Sequence, residues 1–198
     1  MKNFFLFILL ALVLATNAYA ADLEKEMKIC SKIEDNIERL ECYDNIITKK
    51  PNIQSSDNWI IREDVSELTD QKGITFITKA VTPIASQFGQ EIYPTLVLRC
   101  RDNTTDVYIN WGMFLGTETI SVTERIDKEK AVKSSWTVST SYEAIFNNRP
   151  IKFIKNLLNK EKLLVQLVPY GEGAKMTEFN IQDLENIIAP MQELCHWK

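Results

Sequence analysis

The spacing of apolar residues changes near residue 50 of the chain. Before that point the apolar positions follow the period of an amphipathic helix, and they predict two helices, Leu23–Ser31 and Asn36–Thr48. Between them, Asp35 with Glu38 three residues later is typical of a helix N-cap and its capping-box partner. The N-terminal part of the chain is therefore predicted to form a helical hairpin.

Farther along the chain, apolar and polar residues alternate as they do in half-buried β-strands. The intervening segment 49–58 is a predicted linker. Alternation is clearest over Leu96–Cys100 and Val107–Trp111, and the turn-forming residues between them predict a hairpin. Further strands are expected at 59–61, 74–77, 119–126, 132–138 and 163–168, with helices at 150–158 and 183–195. The predicted fold class is α+β: a mainly antiparallel β-sheet or sandwich with an N-terminal helical hairpin, one inserted helix and a C-terminal helix.

One of these strands divides its side chains into a polar and an apolar face. The polar face carries hydroxyls and a guanidinium, and an aspartate follows at the turn: Thr119, Ser121, Thr123, Arg125 and Asp127. An arginine fork suits carboxylates and phosphates, and hydroxyls both donate and accept hydrogen bonds. These five residues are the candidate partner-binding site. A solvated outer face is the alternative interpretation.

The opposite face of that strand contains Glu124 among apolar residues. Alternation turns its carboxylate toward the core, on the same side as Ile120 and Val122. A buried charge is costly without a partner, so we expect Glu124 either to lie at a strand end or to pair with Arg99 or Arg62, and a structural ion pair is favoured over a catalytic role.

The first twenty residues predict a secretory signal peptide. Lys2 gives a positive start, an apolar run extends from Phe4 to Ala15, and Ala18-Tyr19-Ala20 matches a cleavage site. The run is shorter than the roughly 20 apolar residues of a membrane-spanning helix. Cleavage would leave 178 of the 198 residues. We therefore expect an exported protein with no stable membrane anchor after cleavage.

Four cysteines lie in the predicted mature chain: Cys30, Cys42, Cys100 and Cys195. After export, an even set favours disulfides, and three pairings are possible. Order along the chain favours Cys30 with Cys42 and Cys100 with Cys195. A zinc site is the alternative, but the sequence has no C-x-x-C motif and a single histidine, His196. The predicted organisation is a signal peptide at 1–20, a disulfide-linked helical hairpin at 21–50 and a β-rich domain with a C-terminal helix at 51–198.

Charge and motifs count against several classes of function. With 23 basic and 27 acidic residues, the sequence does not favour a nucleic-acid partner. It contains no nucleophile motif, phosphate loop or metal-binding motif, so neither a cofactor nor a metal is expected. Trp111 and Trp136 are expected to anchor the core of the sheet. A catalytic carboxylate pair is the alternative chemistry, with these candidates: Asp44, Asp64, Asp70, Glu124, Asp127, Glu172 and Glu178.

Short segments spread over nearly the whole mature chain resemble the VasI family, proteins associated with type VI secretion systems. In order they are Arg39–Asp44, Leu68–Asp70, Leu98–Cys100, Val107–Gly116, Arg125–Asp127, Trp136 with Ser139 and Thr140, Pro169–Glu172 and Cys195–Trp197. The chain has Ser141 where the family pattern predicts an acidic residue. The resemblance implies a periplasmic accessory protein of a Gram-negative bacterium and supplies no catalytic residue. Related proteins also occur in phage and prophage contexts.

Two classes of function follow from these observations. The leading hypothesis is a non-enzymatic periplasmic accessory protein of a type VI secretion system, which binds an envelope component or a protein of the apparatus. The first alternative is an envelope hydrolase that acts on peptidoglycan with a carboxylate pair. The second is a phage-encoded envelope protein that modifies infection. Gene neighbourhood would separate the secretion role from the phage role.

Overall fold

A computed structural model describes residues 27–33, 35–48, 58–66 and 68–197. The chain divides into two compact units, residues 1–53 and 54–198. The predicted signal peptide, residues 23–26 of the first predicted helix and most of the predicted linker lie outside the described residues.

The first unit contains a helix, α1, over Asn36–Thr48, as the apolar spacing predicts. Asp35 caps it, because its Oδ1 accepts hydrogen bonds from the backbone N–H of Ile37 at 2.8 Å and of Glu38 at 3.0 Å. Residues 27–30 are also helical, and a turn separates them from α1.

A disulfide links Cys30 to Cys42, with 5.5 Å between the two Cα atoms. The two residues are 12 positions apart in the sequence. In one straight helix that interval would span about 18 Å, well beyond the reach of a disulfide. The turn before α1 therefore makes the linkage possible, as the sequence predicts.

The second unit is built on an antiparallel sheet. Its strands are β1 (Ile60–Val65), β2 (Lys72–Lys79), β3 (Ile84–Ala85), β4 (Glu91–Ile92), β5 (Thr95–Arg101), β6 (Thr104–Asn110), β7 (Thr119–Ile126), β8 (Val132–Val138), β9 (Ala144–Phe146), β10 (Lys162–Leu167) and β11 (Lys175–Asn180). Its helices are α2 (Pro150–Leu157), α3 (Leu184–Ile187) and α4 (Ala189–Leu194). Among the described residues, nine strands pair in the order β1-β2-β5-β6-β9-β8-β7-β10-β11, and β3 pairs with β4 separately. The α+β fold class is confirmed.

The sheet curls until β11 meets the end of β2. Ala80, next to the last residue of β2, forms an isolated antiparallel bridge with Phe179. The backbone N–H of Val81 donates to the carbonyl of Glu178 at 2.8 Å. Because the sheet curves back on itself, its inner face encloses one apolar core.

Tryptophans occupy the centre of this core. Trp59, Trp111 and Trp136 are all fully buried, as expected for the last two. The ring of Trp136 meets that of Phe153, on α2, edge to face with 5.3 Å between centroids. This contact anchors α2 against the sheet, since such aromatic pairs stabilise packing beyond the area they bury.

The C-terminal segment, for which the sequence predicts a helix over 183–195 that Pro190 could kink or end, is divided in two. It forms α3 and α4, with Ile188 between them and Pro190 in the first turn of α4. Proline has no N–H to continue a preceding helix, so the break falls just before it. A second disulfide ties Cys195, which follows α4, to Cys100 in β5, with 6.0 Å between Cα atoms.

Candidate functional site

The polar side chains of β7 share one face of the strand, as predicted. Thr119, Ser121 and Arg125 are exposed and Thr123 is half-buried. The neighbouring strands extend this face, because the residues in register with it are also mostly polar: Thr137, Ser135 and Lys133 on β8, and Gln166 on β10. We call these residues, with Asp127, the polar strand face.

Two members of the polar strand face also take part in the local fold. The Arg125 Nε donates to the carbonyl of Glu129 at 2.9 Å, across the turn after β7. The Asp127 Oδ1 accepts from the backbone N–H of Glu161 at 3.1 Å and of Lys162 at 2.9 Å. Asp127 thereby joins this turn to the start of β10. Within the described residues, no hydrogen bond or ion pair engages the terminal guanidinium nitrogens of Arg125.

The predicted ion pair of Glu124 with Arg99 or Arg62 is wrong. Arg99 pairs with Asp106, directly opposite it in the β5–β6 hairpin, with 2.6 Å between Nη2 and Oδ2. Arg62 lies on β1, at the far end of the sheet order from β7. Glu124 is half-buried, and its Oε2 has no hydrogen-bond partner among the described residues.

Burial raises the pKa of the Glu124 carboxyl above its ordinary value, because removal from water penalises the charged form. The nearby side chain of Trp136 opposes this rise in pKa, but by a smaller amount. In the structure the Trp136 indole N–H donates to the Ser134 hydroxyl at 3.0 Å. Glu124 therefore has a greater tendency than an exposed glutamate to carry a proton.

Glu124 lines a cleft of about 560 Å³ that lies between the β7–β8 hairpin and the start of α2. Trp136 and Phe153 contribute apolar surface to it. Ile126 and Val132 add further apolar surface, and the remaining lining is polar: two glutamates, lysines, an arginine, serines and asparagines. We refer to this space as the cleft. A volume of this size falls within the range of small-molecule sites in proteins.

Most of the other candidate carboxylates have structural partners. Three form ion pairs: Asp64 with Arg101, Glu172 with Lys175, and Glu178 with Lys162. Asp127 is held by backbone amides, as described above. Asp70 lies in a turn with a φ of 54°. The side chain of Asp44 lies outside the described residues.

An exposed group of aromatic rings was not predicted from the sequence. Phe114 meets both Tyr142 and Tyr170 edge to face, with 5.8 Å between centroids in each pair. The three side chains are 48%, 43% and 75% exposed. They come from three loops, and the N–H of Leu115 donates to the Tyr142 carbonyl at 2.9 Å to hold two of these together. We call the three rings the aromatic cluster.

The position at which the chain departs from the expected family pattern lies beside Tyr142. The Ser141 hydroxyl is 2.9 Å from the Ser139 hydroxyl, which also accepts from the N–H of Ala144 at 3.1 Å. Ser141 therefore takes part in a neutral hydrogen-bonded turn, where an acidic residue would introduce a charge.

The described residues lack two kinds of feature, a metal-binding group and a membrane-spanning helix. They contain no group of three or more His, Cys, Asp or Glu side chains placed to hold a metal ion. Nor does any helix in the described ranges have the length and apolar character needed to cross a membrane.

These features define a disulfide-linked α+β protein built on a curled antiparallel sheet. By sequence the chain belongs to the VasI family, described as type VI secretion system VasI, EvfG, VC_A0118, which matches residues 29–197. The predicted family is thus confirmed. Membership suggests the context of a secretion apparatus, and together with the disulfides it suggests an exported protein.

Other comparisons are less informative. No curated protein matches the sequence. Among solved structures, the crystal structure of invasion associated protein B from Bartonella henselae aligns at 10% identity with a TM-score of 0.49. The alignment covers 71% of this chain and 96% of that chain.

Proposed function

We propose that this protein is a non-enzymatic periplasmic accessory protein of a type VI secretion system, which binds an envelope component or a protein of the apparatus. The observation that carries the proposal is the match of residues 29–197 to a family of type VI secretion proteins. The predicted signal peptide and the two disulfides support a periplasmic location, since disulfides persist in oxidising compartments.

The polar strand face is the first surface proposed to meet the partner. Its hydroxyls lie side by side on adjacent strands, with Thr119 opposite Thr137 and Ser121 opposite Ser135. Arg125 adds a cation at one end of this array. Such an array can accept and donate hydrogen bonds at several points, which suits a polar partner with anionic groups.

The aromatic cluster is the second proposed surface. Exposed tyrosine and phenylalanine side chains are enriched where proteins meet, because they bury a large area with few rotatable bonds. Phe114 lies between the two tyrosines, so the cluster presents a continuous apolar surface. We propose that it supplies apolar anchoring while the polar strand face supplies hydrogen bonds.

The test is complementation of a strain that lacks the gene. Arg125→Ala and Tyr170→Ser are expected to reach the periplasm in normal amounts and with normal melting temperatures, but to reduce type VI secretion. Arg62→Ala and Phe88→Ala are the matched controls, since Arg62 is exposed on β1 and Phe88 is 80% exposed outside the aromatic cluster. Both controls are expected to retain full secretion.

Three results would contradict parts of the proposal. Full secretion by both Arg125→Ala and Tyr170→Ser would show that neither the polar strand face nor the aromatic cluster is needed for secretion. Normal secretion in the deletion strain would show that the protein is not required for type VI secretion. Detection of the protein only in the cytoplasmic fraction would contradict the proposed periplasmic location.

A second candidate function rests on Glu124. A half-buried carboxyl with a raised pKa, exposed to a cleft, is what a general acid of glycoside hydrolysis needs. Purified protein incubated with peptidoglycan would then release soluble fragments, and Glu124→Gln would not. If the wild-type protein releases no fragments, the hydrolase is excluded and the binding function is unaffected.

A further inference from the structure

The cleft contains an excess of positive charge, although the whole chain is acidic with a net charge of −4. Lys130, Lys133, Arg149 and Lys152 all line it. None of the four forms an ion pair with a residue in the described part of the chain. Elsewhere in the second unit, ion pairs neutralise five basic side chains, whereas the cleft brings four cations together with no ion pair among the described residues.

The acidic side chains of the cleft do little to balance this charge. Glu129 is already paired, with 2.7 Å between its Oε1 and the Lys160 Nζ. Glu124 has a raised pKa because it is buried, and its Oε2 has no hydrogen-bond partner in the described part of the chain. When Glu124 holds a proton, its carboxyl can donate a hydrogen bond into the cleft.

The start of α2 adds to the positive potential. Arg149 occupies its N-cap position, no side chain caps the helix, and its first turn has no acidic residue. The N-terminus of a helix carries a partial positive charge, so the stability of α2 alone would favour an acidic residue there. Arg149 and Lys152 are instead cations at this end, an arrangement that an anion in the cleft would stabilise.

We infer that the cleft is a binding site for a phosphate-bearing anion. Three lysines and one arginine surround it, and lysine ammonium groups bind phosphate oxygens as point charges. At about 560 Å³ the cleft is larger than a phosphate group, which leaves room for the moiety that carries it. That moiety is either a lipid or a soluble molecule, and both would present the same anionic oxygens.

This inference goes beyond the proposed function, because it requires no secretion partner. Lys133 belongs to both the cleft and the polar strand face, whereas Arg149 and Lys152 belong to the cleft alone. The probes are therefore simple anions and vesicles, added to the purified full-length mature protein. Pyrophosphate and citrate are titrated by calorimetry. Vesicles that contain phosphatidylglycerol in phosphatidylcholine are compared with pure phosphatidylcholine vesicles by co-sedimentation.

The variants are Arg149→Gln, Lys152→Gln and Lys133→Gln, and the control is Lys155→Gln, because Lys155 is on α2 but does not line the cleft. Loss of one charged hydrogen bond is expected to weaken binding about tenfold. Arg149→Gln removes a cation from a helix N-terminus and should not destabilise the fold. Lys133→Gln, on β8, gives an independent test if a variant in α2 misfolds.

Each outcome has a defined meaning. Pyrophosphate binding that the three cleft variants weaken and the control does not supports a soluble phosphate compound. The same pattern with phosphatidylglycerol vesicles, but not with pyrophosphate, supports a lipid headgroup. Equal losses in all four variants, no binding to either probe, or tighter binding of citrate than of pyrophosphate would overturn the inference. A failure here would leave secretion by the wild-type protein unchanged, so it is distinguishable from failure of the proposed function.

Discussion

The indole N–H of Trp197 donates a buried hydrogen bond of 3.0 Å to the hydroxyl of Thr105, a residue 92 positions earlier. Thr105 lies directly opposite Cys100 in the β5–β6 hairpin, and Cys100 is disulfide-bonded to Cys195. The segment after α4 is therefore attached to one cross-strand pair of the hairpin twice, once by a covalent bond and once by a hydrogen bond.

Thr105→Val should lower the free energy of unfolding by about 1–3 kcal/mol, because the buried Trp197 indole N–H loses its acceptor. Thr177→Val is a matched control, since the Thr177 hydroxyl is buried without a partner among the described residues. Valine at that position should be neutral or stabilising. Urea unfolding of both variants measures the difference. Equal destabilisation by the two substitutions would contradict a specific role for the hydrogen bond.

Replacement of both Cys100 and Cys195 by alanine should lower the free energy of unfolding by roughly 4–5 kcal/mol in the chain-entropy model. The large effect follows from the 95-residue separation, because the crosslink restricts a long segment of the unfolded chain. Urea unfolding of the double variant checks the magnitude. Peptide mapping without reductant should recover this crosslink and Cys30–Cys42, whereas a Cys42–Cys100 peptide would contradict the pairing.

Trp136→Ala should cost about 3–5 kcal/mol of stability, because it removes a fully buried ring that packs on Phe153. Tyr170→Ala is the control, since that side chain is 75% exposed and surface substitutions usually change stability by less than about 0.5 kcal/mol. Thermal melting compares the two. An unchanged melting temperature for Trp136→Ala, with loss of partner binding, would show that this ring serves partner binding rather than packing of the core.

Glu124→Gln should change how stability depends on pH. Burial raises the pKa of Glu124 in the folded protein above its ordinary value of about 4.5, so the folded state retains this proton at a pH where the unfolded state has lost it. The wild-type protein should therefore lose stability, relative to the variant, as the pH rises from about 4.5 through the folded-state pKa.

Melting temperatures of both proteins, measured from about pH 4 to about pH 8, test this relationship. At the acidic end the two should be alike, because glutamine resembles the protonated carboxyl. At the neutral end the variant should be the more stable. The other ionisable groups of the cleft are unchanged, so their titration largely cancels in the comparison. A wild-type protein that gains stability over the variant with rising pH would show that the charged carboxylate is favoured.

Local sequence patterns predicted the elements whose side chains follow the expected period. In β5, the alternation that begins at Leu96 matches the buried face of the strand, and the Asp35 cap marks the start of α1. The order of the cysteines gave the favoured pairing. The strand alternation and the helix cap depend on residues that are close in sequence. The favoured cysteine pairing follows from the even number of cysteines and their order along the chain, because disulfides are expected in an exported protein.

The strands that were not predicted from the sequence lack the regular alternation of apolar and polar residues. β11 reverses it, because Thr177 is buried whereas Met176 is 60% exposed. β9 has only three residues, Ala144–Phe146, which is too short to show an alternation. β3 and β4 have two residues each, and the same reason applies.

The surroundings of Glu124 and the aromatic cluster could not be predicted from local patterns, for a different reason. Arg99 was already matched to Asp106 by the register of its hairpin, and the sequence alone does not fix that register. The aromatic cluster combines Phe114, Tyr142 and Tyr170, which are distant in the chain. The cleft forms where the β7–β8 hairpin meets α2, with β9 between them in the sequence. Both features depend on how the strands pair in the sheet, and no single segment of the sequence specifies that pairing.

If the chain is exported from the N-terminus onward, as proposed, the two disulfides differ in when they can form. Cys42 follows Cys30 by 12 residues, so the first crosslink can close while most of the chain is still inside the cell. Cys100 has to wait for 95 further residues before Cys195 arrives. During that interval its thiol is open to exchange with other sulfurs, so a disulfide isomerase has the most to correct there. Closure of the second crosslink thus marks the moment at which translocation has delivered the whole sheet.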